Sequence, residues 1–238
     1  LRFPSGATLH LHLDEPGRLL IDRLQAYAIR MAQHHAMTGE DRFGEEAVRQ
    51  HELYRDALRD RRTGLWSQGR GWAGPPAGML SPGAWSRGHG WIMRGAVICL
   101  DFLDARSERH ARLLPFLREL SDALLAVQDE DGLWHALPDQ PWDDSSVETS
   151  GTGMIAGYLL LAARMGYLPE DPYGKAGYKA ACRLLDYVDE EGRILSACRG
   201  PGPLRSIRDY YRTPFGPGEP HGRFGLLVAF GEALRRRD

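Results

Sequence analysis

The sequence predicts an all-α chain whose helical hairpins stand side by side as an α/α toroid. Three observations carry this prediction. A turn recurs at a spacing of about sixty residues, seven stretches show helical periodicity, and the helices alternate between two kinds. The turns are "PSGATLHL" at 4–11, "RTGLWSQ" at 62–68, "EDGLWHAL" at 130–137 and "EEGRILSA" at 190–197. Their glycines, Gly6, Gly64, Gly132 and Gly192, are 58, 68 and 60 residues apart. Each turn leads through a short extended stretch and an irregular Pro/Gly/Asp-rich loop into a helical pattern. One helix pair cannot bury its own faces, so pairs must stack or close into a ring, and a solenoid of hairpins is the alternative.

The helical stretches run over 17–37, 41–60, 87–104, 107–128, 147–166, 172–188 and 221–236, each with apolar residues three or four apart. The second, fourth and sixth are rich in charge and carry one apolar stripe, as an outer layer requires. The stripe is clearest in the fourth, where Leu113, Leu117, Leu120, Leu124 and Val127 share a face. The third and fifth are apolar or small nearly all round, as an inner layer requires. A closed ring of six pairs needs about twelve helices. Seven helices in a chain that opens inside a repeat loop read as an incomplete toroid, a C-terminal portion forming one domain over residues 1–238. Such a row would leave apolar faces uncovered, which predicts self-association.

Composition narrows the function. With 238 residues, 42% of them hydrophobic, the chain can bury one sizeable core. A net charge of -2 gives no field that would gather nucleic acid or anionic lipid. No apolar run is long enough to span a bilayer. Cys99, Cys182 and Cys198 have no metal-ligand spacing, and Cys99 and Cys182 read as buried free thiols. His10 with His12, and His34 with His35, lack a third ligand, so no metal site is predicted. Neither a phosphate-cradling glycine loop nor a Ser or Cys nucleophile motif is present.

In a toroid the inner helices all begin at one end, so their first residues converge. That filter selects Asp22, then Arg87, His89 and Trp91, then Glu148 and Thr149, then His221. The loops feeding the same rim carry Gln68, Trp72, Trp134, His135, Trp142, Asp143 and Asp144. Aromatic rings, an arginine and carboxylates around one mouth suit a sugar. Asp22 would point into the lumen, where partial burial raises a carboxyl pKa as a general acid needs. An aspartate that only complements the helix dipole is the other reading. Arg87 and Trp91 are four apart and would stack on one helix face, which Arg94 continues. Gly88, Gly90 and Gly95 cost about 1 kcal/mol each relative to alanine, so something must approach that backbone closely. For His89 a hydrogen-bonded structural role competes with substrate binding. For Glu148, after Ser145 and Ser146, capping of the helix start competes with it.

The segment "WSRGHGW" at 85–91 resembles the Trp-x-Arg-Gly-Asn-Gly-Trp signature of unsaturated rhamnogalacturonyl hydrolases, glycoside hydrolase family 105, which are related to the unsaturated glucuronyl hydrolases of family 88. "DGLWHALPD", "ETSGTGMIAGYLL", "RMGYLPEDPYGKAGYKA" and "GRFGLLVAFGEAL" continue the likeness in the same order. The resemblance implies a six-hairpin α/α barrel. The implied activity is removal of a Δ4,5-unsaturated uronic acid from the non-reducing end of lyase-generated oligosaccharides, by hydration of the enol ether and without a cofactor. It further implies Asp22 as general acid and base, with Arg87 and Trp91 binding substrate and Gly88 and Gly90 leaving room for the sugar. Gln68 stands near a substrate-contacting loop histidine of the family, and His89 replaces the family's asparagine. Leu20 replaces a tryptophan, Arg23 a glycine, and Gln25 with Ala26 an aromatic-Met pair, while a second family aspartate has no counterpart. The expected substrate-binding set is therefore Arg87, Trp91, His89, Gln68, Trp134 and Glu148. Relatives of this kind and three unpaired cysteines favour the cytoplasm. Two alternatives remain. One is a hydrolase of saturated glycosides using Asp143, Asp144 or Glu148 as second carboxylate; the other is a catalytically degenerate carbohydrate-binding barrel.

Overall fold

The recurring turn is built from an aspartate and a glycine. A computed structural model describes residues 18–71, 78–141 and 145–236. Gly6, His10, His12, Trp72, Trp142, Asp143 and Asp144 lie outside them. In the three described turns Asp60, Asp129 and Asp189 donate their backbone N–H to the carbonyls of Leu65, Leu133 and Arg193, at 2.8, 3.0 and 3.0 Å. Their carboxylates accept the N–H groups of Arg62, Leu133 and Arg193, at 2.8, 2.7 and 2.7 Å. Gly64, Gly132 and Gly192 close the loops at φ of 77°, 92° and 72°. That left-handed region costs other residues about 1–2 kcal/mol, so the repeated glycine is a backbone requirement.

Helices α1 (Asp22–Thr38), α3 (Ser86–Phe102), α5 (Thr149–Arg164) and α8 (Pro220–Arg235) form an inner row, each packed against the next. Helices α2 (Asp41–Leu58), α4 (Glu108–Leu125) and α6 (Lys175–Arg183) back α1, α3 and α5. The expected division into inner and outer helices therefore holds. Helices α1 and α8, at the ends of the row, are not packed together, so the described residues form an arc. The core lies between the two layers, with Leu24, Tyr54, Ile92, Leu117 and Leu159 among its fully buried side chains. Outer helices α2 and α4 are also joined by Arg112, which bonds Glu45 and Glu52 at 2.7–3.0 Å.

The inner helices meet through their glycines. A β carbon on Gly153 would stand 2.5 Å from the Gly225 carbonyl carbon, and one on Gly225 would stand 2.4 Å from the Ser150 oxygen. At α3, a β carbon on Gly88 would meet Ile21 at 2.8 Å, one on Gly90 would meet Met154 at 2.6 Å, and one on Gly95 would meet Gln25 and His51 at 3.2 Å. Close approach was rightly expected from these glycines, but neighbouring elements of the protein make it, not a sugar.

Three further readings are corrected. The helix expected over 172–188 is α-helical only over α6. The segment Glu170–Gly174 precedes it as a wider turn, and Leu184–Tyr187 follows as a tighter one. Asp171, held extended before Pro172 at φ -104° and ψ 120°, accounts for the irregular start. A short helix α7 (Ile207–Tyr211), capped by Ser206, was not anticipated. Cys182 is exposed, not buried, because outer helix α6 has only one covered face, whereas Cys99 on α3 is buried. Two minimal antiparallel pairs, β1 (Leu19–Leu20) with β2 (Gly69–Arg70) and β3 (Ala197–Cys198) with β4 (Phe215–Gly216), tie the rim loops.

Candidate active site at the mouth of the inner row

Asp22 is the first residue of α1, Arg87 lies in the first turn of α3, Glu148 is the N-cap of α5, and His221 lies in the first turn of α8. The inner row thus brings to one mouth residues that span two hundred positions of sequence.

Asp22 does not cap its helix. Its carboxylate is partly covered, and Oδ1 is enclosed without a hydrogen-bond partner. Burial pushes its pKa from 3.8 up to about 6, against the opposing pull of Arg87, His221 and Arg23. The positive end of a helix dipole would lower the pKa of an aspartate, whereas burial raises this one.

Arg87 is 3% exposed. Its Nη1 donates to Ser150 Oγ at 3.0 Å and to the Cys198 carbonyl at 2.9 Å. Its guanidinium lies 5.4 Å from the Trp85 ring centre, not on Trp91. Trp91 instead stacks on Phe224 of α8, with centroids 5.5 Å apart and planes at 22°. The four-residue spacing put Arg87 and Trp91 on one face, but the guanidinium turns toward the α5 start, where hydrogen-bond acceptors are available. The expected continuation at Arg94 reaches across to Gln25 Oε1 on α1.

Four of the expected substrate contacts turn their polar atoms to protein groups. His89 is fully buried; its Nδ1–H donates to the Trp85 carbonyl at 2.8 Å, and Nε2 accepts the Trp66 N–H at 2.9 Å. Burial lowers its pKa to about 4, so the ring is neutral with both nitrogens engaged. Trp134 is fully buried, and its Nε1–H donates to the Leu124 carbonyl at 2.8 Å. Gln68 joins two loops: Nε2 donates to the Pro201 carbonyl at 2.9 Å, and Oε1 accepts from Tyr210 Oη at 2.6 Å. Glu148 accepts the N–H groups of Ser150, Gly151 and Cys198 at 3.3, 2.5 and 3.0 Å, and the Ser150 hydroxyl at 2.7 Å. It is the helix cap itself, where a serine cap was anticipated. His135 is likewise tied to Asp129 at 3.0 Å and to the Ser145 carbonyl. Each was placed at the rim by position, which is blind to side-chain direction. Here the polar atoms turn inward, because a buried donor or acceptor left unpaired costs about 1–3 kcal/mol.

Glu219 was missed. It precedes α8 and accepts from His221 Nδ1 at 2.7 Å, which holds its carboxyl below the usual range. A glutamate followed by Pro220, the helix-opening proline in "GEPHG", was the available signal.

Comparison with known proteins agrees with this architecture. A model of Glycosyl Hydrolase Family 88 matches residues 2–237. The unsaturated rhamnogalacturonyl hydrolase YesR of Bacillus subtilis is 32% identical over 114 residues, 48% of this chain and 30% of that protein. A possible member of the GH105 family from Salmonella enterica superposes with a TM-score of 0.88 at 27% identity, over 100% of this chain and 62% of that one. The unsaturated glucuronyl hydrolase of Bacillus sp. GL1 shares the fold, with a TM-score of 0.69 at 17% identity over 98% of this chain and 62% of its own. The chain thus spans less than two thirds of the length of these relatives. Its all-α hairpin row is that of the six-hairpin toroid enzymes, and with the family model covering nearly every residue, the chain belongs to Glycosyl Hydrolase Family 88.

Proposed function

We propose that this protein removes a Δ4,5-unsaturated uronic acid from the non-reducing end of oligosaccharides made by polysaccharide lyases. The observation that carries the reading is Asp22, an enclosed, unpartnered carboxyl whose pKa of about 6 keeps a proton available near neutrality. Asp22 gives that proton to C4 of the enol ether. Positive charge develops at C5 and on the ring oxygen, and water adds at C5 while the Asp22 carboxylate takes the water's proton. The hemiketal then opens to a C5 ketone, and the hemiacetal at C1 expels the next sugar. One acid that becomes one base suffices, so the two opposed carboxylates of ordinary glycosidases are not required. Arg87 holds the carboxylate or a neighbouring hydroxyl of the uronide, and Trp91 with Phe224 offers a ring face to the sugar. No cofactor enters these steps. Three unpaired cysteines fit a reducing compartment. The open ends of the inner row are the surfaces through which copies would associate, and sedimentation velocity tests this.

Unsaturated disaccharides from rhamnogalacturonan and glucuronan-type polymers, followed by loss of the enol-ether ultraviolet absorbance, test the reaction. The expected result is loss with the wild type and none with Asp22→Asn. Folded wild-type protein that leaves every substrate unchanged would sink the reading.

A further inference from the structure

No bond to Oδ1 holds the Asp22 carboxyl, so its place is set by the chain just ahead of it. The Ile21 N–H donates to the Gln68 carbonyl at 2.9 Å, and Leu20 pairs with Gly69 across β1 and β2. Ile21 is fully buried, so this anchor is fixed in the core.

The residue that carries the anchor is itself tied to α7. Gln68 is buried, and Tyr210 Oη donates to its Oε1 at 2.6 Å while accepting the Leu204 N–H at 3.2 Å. Ser81, which accepts the Gly69 N–H at 3.0 Å, stands beside the same oxygen. The Tyr210 ring meets the next inner helix. It lies 6.1 Å from the ring of Trp85, the N-cap of α3, which also carries the Arg87 guanidinium. Tyr210 is buried as well. Burial raises its pKa, and the carboxylates of Asp139 and Asp22 add to the rise, which places its hydroxyl within reach of the Asp22 charge. One phenol thus links the starts of the two helices that bring Asp22 and Arg87 to the mouth.

We propose that Tyr210 is a positioning residue for the hydration of the enol ether: through Gln68 and Trp85 it holds the start of α1, and with it Asp22, in register with the start of α3. This rests on the hydrolase reading and deepens it. Tyr210 moves no proton; it fixes where Asp22 delivers one. Loss of its hydroxyl releases Gln68, and the start of α1 loosens toward water. A misplacement of about 1 Å costs about a hundredfold in rate, so a fraction of that costs about tenfold.

Tyr210→Phe removes the hydroxyl and keeps the ring on Trp85. Tyr173→Phe is its control, because the buried Tyr173 bonds through its hydroxyl to Asp122 on outer helix α4, away from the mouth. With the unsaturated disaccharide, kcat should fall about tenfold in Tyr210→Phe with KM within about threefold, while Tyr173→Phe turns over as the wild type does. In thermal melts at pH 8, each protein is also compared with its Asp22→Asn counterpart. The gain in melting temperature from Asp22→Asn reports how enclosed the carboxyl is and needs no substrate. Arg87 of α3, His221 of α8 and Arg23 of α1, which also act on Asp22, are common to both members of each pair. The gain should at least halve in the Tyr210→Phe background and keep its wild-type size in Tyr173→Phe. A hydroxyl that only stabilised the fold would lower both members of a pair alike and leave the gain unchanged. Should Tyr210→Phe not fold, Gln68→Met cuts the same link and is read the same way. An undiminished gain, or a kcat equal to that of Tyr173→Phe, overturns the proposal and leaves the hydrolase reading standing. A folded wild type that turns over no substrate overturns the hydrolase reading, and the melting pairs then decide the positioning of Asp22 on their own.

Discussion

Replacing Asp22 by asparagine should abolish turnover and at the same time stabilise the fold, with a pH dependence that a buried carboxyl imposes. The Asp22 pKa rises from 3.8 to about 6, chiefly through burial. A folded-state pKa above the unfolded one means that the folded chain holds the proton more tightly. The stability this proton contributes is complete below pH 3.8 and is lost as pH rises through about 6. The interval corresponds to at most about 3 kcal/mol, and partial exposure of the carboxyl reduces it to about 1–3 kcal/mol. Asparagine does not ionise and escapes this loss. At pH 8 the variant should therefore melt about 2–12 °C above the wild type, at about 2–4 °C per kcal/mol for a chain of this length. Near pH 4.5, between the two pKa values, the gain should be smaller, about a third of that at pH 8. His51 and His89, whose pKa values burial lowers to about 4, titrate in part of this window with the opposite sign. They are present in both proteins and cancel in the difference. Thermal melts of the pair at both pH values provide the assay. A gain at pH 8 no larger than that near pH 4.5, or a variant less stable at both, would mean that Arg87 and His221 stabilise the carboxylate more than burial strains it.

Gly153→Ala should cost about 3 kcal/mol in urea unfolding, because its β carbon meets the backbone of Gly225, which cannot swing aside. Gly192→Ala has open space around it and should lose only the left-handed backbone cost of about 1–2 kcal/mol. Binding of the unsaturated disaccharide should weaken at least about tenfold in Arg87→Gln, read by titration calorimetry, while its methyl ester loses less. His89→Phe should destabilise by about 1–3 kcal/mol by stranding the Trp66 N–H; KM should stay near the wild-type value, since both ring nitrogens are engaged by backbone groups.

Much of the architecture was legible in the sequence because local chemistry repeats. Gly64, Gly132 and Gly192 mark the same left-handed turn, and the alternation of charged and apolar helices gives the two layers. The aspartates that fasten those turns, Asp60, Asp129 and Asp189, were equally visible three or four residues before each glycine but were not read. Asp22 and Arg87 emerged from one geometric rule, that inner helices begin at one end.

Tertiary structure decided the rest. Position along a helix says which end a residue occupies, not which way its polar atoms turn. His89, Trp134, Gln68 and Glu148 stand at the rim yet bond inward, to backbone and side-chain groups of the rim loops and helix ends. The glycines of "SRGHGW" announced a close approach, but only packing could name Ile21 and Met154 as what approaches. Gly200 comes against Arg87 only when the 198–201 loop is folded onto α3, a contact across more than a hundred residues. Sequence by itself determined most of the helices and the repeated turns, since these depend on contacts a few residues apart. The chemistry of the mouth was decided by the fold, because burial and pairing are properties of neighbours that the chain order does not hold.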